Sequence, residues 1–154
     1  MTLFPFIIDR VILLTVRCLR DAKGTERIKD EQPSSNWVSG KRREREQWRG
    51  WGMINESTYE PSDILQKVQI TVFSDAYCLQ TIGEDYSVGQ NLCAGNINNT
   101  KGHCSGDSGG PLVINGIQWG IISWSIKPCI SAPGVYTSLT NPSYRKWISS
   151  VAGV

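Results

Sequence analysis

The chain has 154 residues, 40% of them hydrophobic and 19% charged, with a formal net charge of +2. That is enough for one domain with a real core, and too apolar and weakly charged for a wholly disordered chain. Fifteen Gly and seven Pro argue against a helical bundle, the near-neutral balance against a dedicated nucleic-acid binder, and the absence of any uncharged apolar run of about eighteen residues against a spanning helix.

Charge divides the chain near residue 50: residues 1–50 carry 11 Lys/Arg and 7 Asp/Glu, residues 51–154 carry 5 and 7. The first part has no sustained period and is expected to be an irregular, charged segment over residues 1–46. Its apolar clusters Leu3–Ile8 and Val11–Val16 are interrupted by Asp9 and Arg10, which does not make the unbroken apolar core of a signal peptide. Residues 20–48 contain the run Lys41-Arg42-Arg43-Glu44-Arg45-Glu46. Glu44 and Glu46 dilute it, so it reads as a solvated insertion, with an anionic-surface patch as the weaker reading.

Beyond residue 50 short strands and turn signals take over. Lys67–Phe73 alternates and is rich in β-branched residues, which predicts a strand. Ser74 can cap a short helix through Leu79 that ends at Gly83. Asn91–Ala94, Pro111–Ile114 and Ile117–Trp124 read as strands, the last two joined by an Asn115-Gly116 hairpin signal. Gly134–Leu139 is another strand. A closing helix follows, capped by Asn141 with Pro142 in its first turn and Tyr144, Trp147, Ile148 and Val151 on one face. Strands at this spacing predict an antiparallel barrel or sandwich over residues 47–154.

Five cysteines are present: Cys18, Cys78, Cys93, Cys104 and Cys129. None has the paired spacing of a zinc site, and one histidine, His103, cannot complete a four-ligand cluster, so neither metal nor cofactor is expected. The last four fit two bridges in an oxidising compartment, with Cys18 left over. Asn55-Glu56-Ser57 and Asn98-Asn99-Thr100 are glycosylation sequons, which matter if the chain is secreted.

The sharpest motif is Gly106-Asp107-Ser108-Gly109-Gly110-Pro111. A serine between glycines also describes the nucleophile elbow of α/β-hydrolases, but that needs a helix after the serine and a histidine downstream. Here a strand and an Asn-Gly turn follow, and no histidine lies beyond residue 103. The elbow reading fails.

The stretch Gly50–Val151 resembles the chymotrypsin/trypsin-like serine proteases (peptidase S1). The resemblance rests on Gly50-Trp51-Gly52, Leu92-Cys93-Ala94-Gly95, Cys104 through Leu112, Ile122-Ser123-Trp124, Pro133-Gly134-Val135-Tyr136-Thr137 and Trp147-Ile148, all in the family's order. It implies the second of the family's two barrels: all-β, a single antiparallel six-stranded Greek-key barrel with a C-terminal helix. By position Ser108 is similar to the nucleophile, and the N–H groups of Gly106 and Ser108 to the oxyanion hole. Ser123-Trp124-Ser125 matches the edge that pairs with an extended substrate. Gly102, His103, Ser125 and Gly134 would wall the specificity pocket, neutral because no carboxylate stands where trypsin-like members hold one. Cys78–Cys93 and Cys104–Cys129 match two family bridges. The resemblance also implies secretion.

The triad histidine and aspartate of that family come from its first barrel. This chain has no histidine before His103, and His103 matches the pocket wall. Asp9 lies in a phrase that only weakly matches the family's triad-aspartate strand. The freshly cut amino terminus that pairs with the aspartate before the nucleophile has no counterpart either. Asp107 is therefore expected to turn outward, since breaking a buried ion pair costs about 3–5 kcal/mol. A bridge is lost too, with Trp48 and Ile114 where its cysteines would be.

Two functions follow as expectations. The first is a serine endopeptidase in a truncated chain, inactive alone; the alternative is a non-catalytic, protease-like binding module that keeps the peptide groove. A missing first barrel would leave an apolar face that calls for a partner. No nucleic-acid partner is expected.

Overall fold

The computed structural model describes residues 46–152 apart from 97, 99 and 116, and for 46–48 and 152 the backbone only. Asp9, Cys18, the 1–45 part of the N-terminal segment with its basic run, and the side chain of Trp48 lie outside the described residues.

The elements run β1 (Glu46–Gly50), β2 (Met53–Asn55), β3 (Glu60–Pro61), β4 (Gln66–Gln69), β5 (Thr71–Val72), α1 (Asp75–Ile82), β6 (Asn91–Gly95), β7 (Pro111–Ile114), β8 (Ile117–Trp124), β9 (Gly134–Ser138) and α2 (Pro142–Ala152). Seven of the strands form one sheet in the order β4-β1-β7-β8-β9-β6-β5, and β2 and β3 form a separate ribbon. The fold is mostly β with a C-terminal helix. Where six strands were expected, the main sheet counts seven segments, because the predicted strand Lys67–Phe73 is divided at Ile70. The two ends of the sheet order, β4 and β5, are consecutive in the chain.

Registers are antiparallel throughout the main sheet. Trp48 pairs with Val68 on one side and with Leu112 on the other, and β9 lies between β6 and β8, with Tyr136 opposite both Leu92 and Ile122. The core gathers around Ile70, Val72, Leu92, Leu112, Trp119 and Tyr136. A satellite cluster of Cys78, Cys93 and Tyr86 packs with Phe73 and Ile82 under α1.

Local chemistry sets the helix ends. The Ser74 side chain accepts a hydrogen bond from the Tyr77 N–H, and the Gly83 N–H closes onto the Leu79 carbonyl. Asn141 Oδ1 accepts from the N–H groups of Ser143 (3.0 Å) and Tyr144 (3.3 Å), which satisfies donors that a helix start leaves free. On α2 only part of the predicted face turns inward: Ile148 is buried but Val151 is exposed. The helix continues about one turn beyond Ile148, to Ala152. Asn115 has φ 53°, as a tight hairpin requires.

Candidate active site

The predicted nucleophile lies in the loop that joins Cys104 to β7. This loop is pinned at several points along the backbone: Gly109 N–H to Ile122 O (2.9 Å), Ile122 N–H to Gly110 O (2.9 Å), Gly110 N–H to Asp107 O (3.0 Å) and Met53 N–H to Ser105 O (2.9 Å). Ser108 stands exposed at its crest, with Gly106 exposed beside it. Gly106 has φ +96°, and a Cβ there would sit 3.2 Å from the Gly52 α-carbon. A side chain at this position would meet both backbone strain and the β1–β2 connection.

Asp107 is 4% exposed. Its Oδ1 accepts from the Gly52 N–H at 2.7 Å and its Oδ2 from the Cys104 N–H at 2.9 Å. The outward turn expected of it is therefore corrected. Two backbone N–H groups hold the carboxylate inside, which removes the drive to expel it. Burial raises its pKa above the ordinary value, and the bonds from Cys104 and Gly52 oppose that rise.

His103, the chain's one histidine, is 3% exposed. Its ring lies against Gly134 so closely that a Cβ there would fall 2.0 Å from Nε2. The ring also meets Tyr136 edge-on, with centroids 5.0 Å apart. Burial, and then the Lys127 charge, lower its pKa to about 4, so the imidazole is neutral at physiological pH. Nε2 is buried without a hydrogen-bond partner. Burial, with a smaller contribution from the Asp107 charge, also raises the Tyr136 hydroxyl well above its ordinary value.

Of the other predicted substrate-binding residues, Gly134 is buried, Gly102, Trp124 and Ser125 are half-buried and Ser123 is exposed. Gly102 also borders a cavity of about 470 Å³ together with Gly52, Glu56, Lys101, Cys104 and Cys129. Both expected bridges are formed, Cys78–Cys93 and Cys104–Cys129. The structure thus brings Asp107 to Gly52 and Cys104, and His103 to Gly134.

Two residues escaped the sequence reading. Glu56 and Lys127 form an ion pair (3.2 Å) beside the Cys104–Cys129 bridge. In the sequence Glu56 stands inside a sequon and Lys127 two residues before Cys129, and neither carries a signal that pairs them. Among the described residues no helix is long and apolar enough to cross a membrane.

Comparison with known proteins agrees with this geometry. The family described as Trypsin matches residues 23–148, starting well upstream of Gly50. Glandular kallikrein-3, submandibular, of Rattus norvegicus is 40% identical over 104 residues, covering 66% of this chain and 54% of the relative. The thrombin-like enzyme bhalternin of Bothrops alternatus is 36% identical over 104 residues, covering 66% of this chain and 39% of the relative. Among solved structures, that of neuropsin, a serine protease expressed in the limbic system of mouse brain, superposes with a TM-score of 0.69 at 28% identity, covering 82% of this chain and 53% of that one. The chain belongs to the trypsin family of serine proteases. It spans about half the length of the first relative and about two fifths of the second.

Proposed function

We propose that this chain carries the nucleophile half of a trypsin-family serine endopeptidase and does not hydrolyse peptide bonds by itself. In this reading Ser108 is the nucleophile, the N–H groups of Gly106 and Ser108 face the developing oxyanion, and Asp107 holds their loop in place. Ser123, Trp124 and Ser125 pair with an extended peptide, while Gly102, His103, Ser125 and Gly134 wall a neutral specificity pocket. The burial of His103 against Gly134 carries the reading. The one imidazole in the sequence is buried against Gly134, which supports a place in the pocket wall rather than as the proton acceptor of Ser108. In another triad protease, loss of the histidine alone costs about 10⁶ in kcat. We expect the purified chain neither to hydrolyse peptide esters nor to react with fluorophosphonates. Stoichiometric labelling of Ser108 would overturn this.

Further readings belong with it. Consecutive β4 and β5 at opposite ends of the sheet order support closure as a six-stranded Greek-key barrel, with Gln66–Val72 counted as one strand. The two bridges support an oxidising, secretory environment. A first-barrel half, or another partner, would cover the open face.

One observation favours the alternative, a non-catalytic peptide-binding module. Among the described residues Asp107 is satisfied by the N–H groups of Gly52 and Cys104, which support the loop around Ser108. Titration calorimetry with extended peptides tests the module: saturable binding is expected of it, and no binding overturns it.

A further inference from the structure

The two disulfides occupy opposite surroundings. Cys78 and Cys93 are 0% exposed and packed among Tyr86, Phe73 and Ile82. Cys104 and Cys129, 7% and 4% exposed, instead border the 470 Å³ cavity.

That bridge also has charged neighbours. The Lys127 Nζ stands 2.7 Å from Cys129 Sγ and 3.4 Å from Cys104 Sγ. It is held there by Ser105 Oγ at 3.0 Å and Glu56 Oε1 at 3.2 Å. The second Glu56 oxygen accepts the Cys129 N–H at 2.9 Å. A closed disulfide is neutral and a weak acceptor, so it gains little from an ammonium at this distance. The thiolate left when the bridge opens gains much more. A neighbouring cation lowers a thiol's pKa, and a lower leaving-group pKa speeds thiol–disulfide exchange.

We propose that Cys104–Cys129 is a thiol-exchange site entered through this cavity, that its co-substrate is a small anionic thiol, and that Lys127 stabilises the departing Cys129 thiolate. The incoming thiolate attacks Cys104 Sγ. The S–S bond breaks with its electron pair passing to Cys129 Sγ, and a mixed disulfide remains on Cys104. Lys67 and Lys101 line the cavity and Lys127 adjoins it. The one carboxylate there, Glu56, has its Oε1 3.6 Å from Cys104 Sγ but is paired with Lys127 at 3.2 Å, so the balance of charge favours an anionic reagent. Opening the bridge uncouples the Cys129 segment, anchored to Glu56, from the Cys104 segment, whose N–H supports Asp107.

The experiment uses the full chain with Cys18→Ser, which keeps the fifth cysteine out of the exchange. It is titrated with reduced glutathione, quenched with iodoacetamide and mapped by peptide mass spectrometry. The expected result is a glutathione adduct on Cys104 and an alkylated Cys129 at concentrations that leave Cys78–Cys93 intact. Lys127→Gln should slow the exchange about tenfold and Lys127→Arg should keep most of the rate, in line with leaving-group control. Simultaneous opening of both bridges, an adduct on Cys129 instead, or a Lys127→Gln rate equal to that of the parent chain would each overturn the proposal. None of these readouts depends on protease activity.

Discussion

His103 carries a pH dependence whose sign follows from its burial. Unfolded, the imidazole takes its proton near pH 6.5; folded, only near pH 4. Between those values the unfolded chain binds more protons, so stability is complete above about pH 6.5 and falls as pH drops towards 4. The shift corresponds to about 3 kcal/mol. Asp107 acts in the opposite sense: its pKa is raised in the fold, so its contribution declines as pH climbs through the acid range. Comparing the parent chain with His103→Gln isolates the histidine. Urea midpoints measured from pH 7 to pH 4 should fall more steeply in the parent, and parallel slopes would contradict this account. The sequence revealed part of this scale. The resemblance assigned His103 to a pocket wall rather than to the triad. Its burial was not legible, because Gly134 is supplied by a distant strand. Asp107 was misread because one of its two donors, the Gly52 N–H, lies 55 positions away, and backbone donors leave no side-chain signature.

The elements that were legible carry their own local signals. Ser74, Gly83, Asn141 and Pro142 mark helix ends, and the strands from Pro111 to Trp124 and around Gly134 show β-branched runs bounded by turns. The β2–β3 ribbon was missed. Met53–Asn55 and Glu60–Pro61 show no period, and what joins them is a turn in which Tyr59 adopts φ 56°, a conformation that residue type does not advertise. The break at Ile70 was hidden as well, since a division inside an alternating run depends on which neighbours each half pairs with. Asn141 does more than cap α2: its Nδ2 also donates to the Gly89 carbonyl at 2.9 Å and so ties the helix to the loop before β6. Asn141→Ala should therefore cost about 1–2 kcal/mol in urea unfolding. A loss indistinguishable from zero would mean that the helix is held by Ile148 alone.

For the whole molecule the exposed apolar surface is uneven. Trp51, Ile54, Tyr59, Ile64 and Leu65 are all exposed, Tyr59 to 78% and Ile64 to 74%, and all belong to the segment linking β1 to β4. Together with a match that covers only about half of its kallikrein relative, this exposure leads us to expect concentration-dependent self-association of the isolated chain. Sedimentation velocity over the micromolar range checks it, and a single monomeric boundary throughout would contradict it. The placement of β1 has one more consequence. Glu46–Gly50 is hydrogen-bonded to β4, close by in sequence, and to β7, more than sixty residues away. One short strand thus stitches a local pairing to a remote one, and the remote pairing carries the larger loop-closure entropy. A fragment that stops before Pro111 therefore keeps the local pairing with β4 and leaves the β7 edge of β1 without its partner.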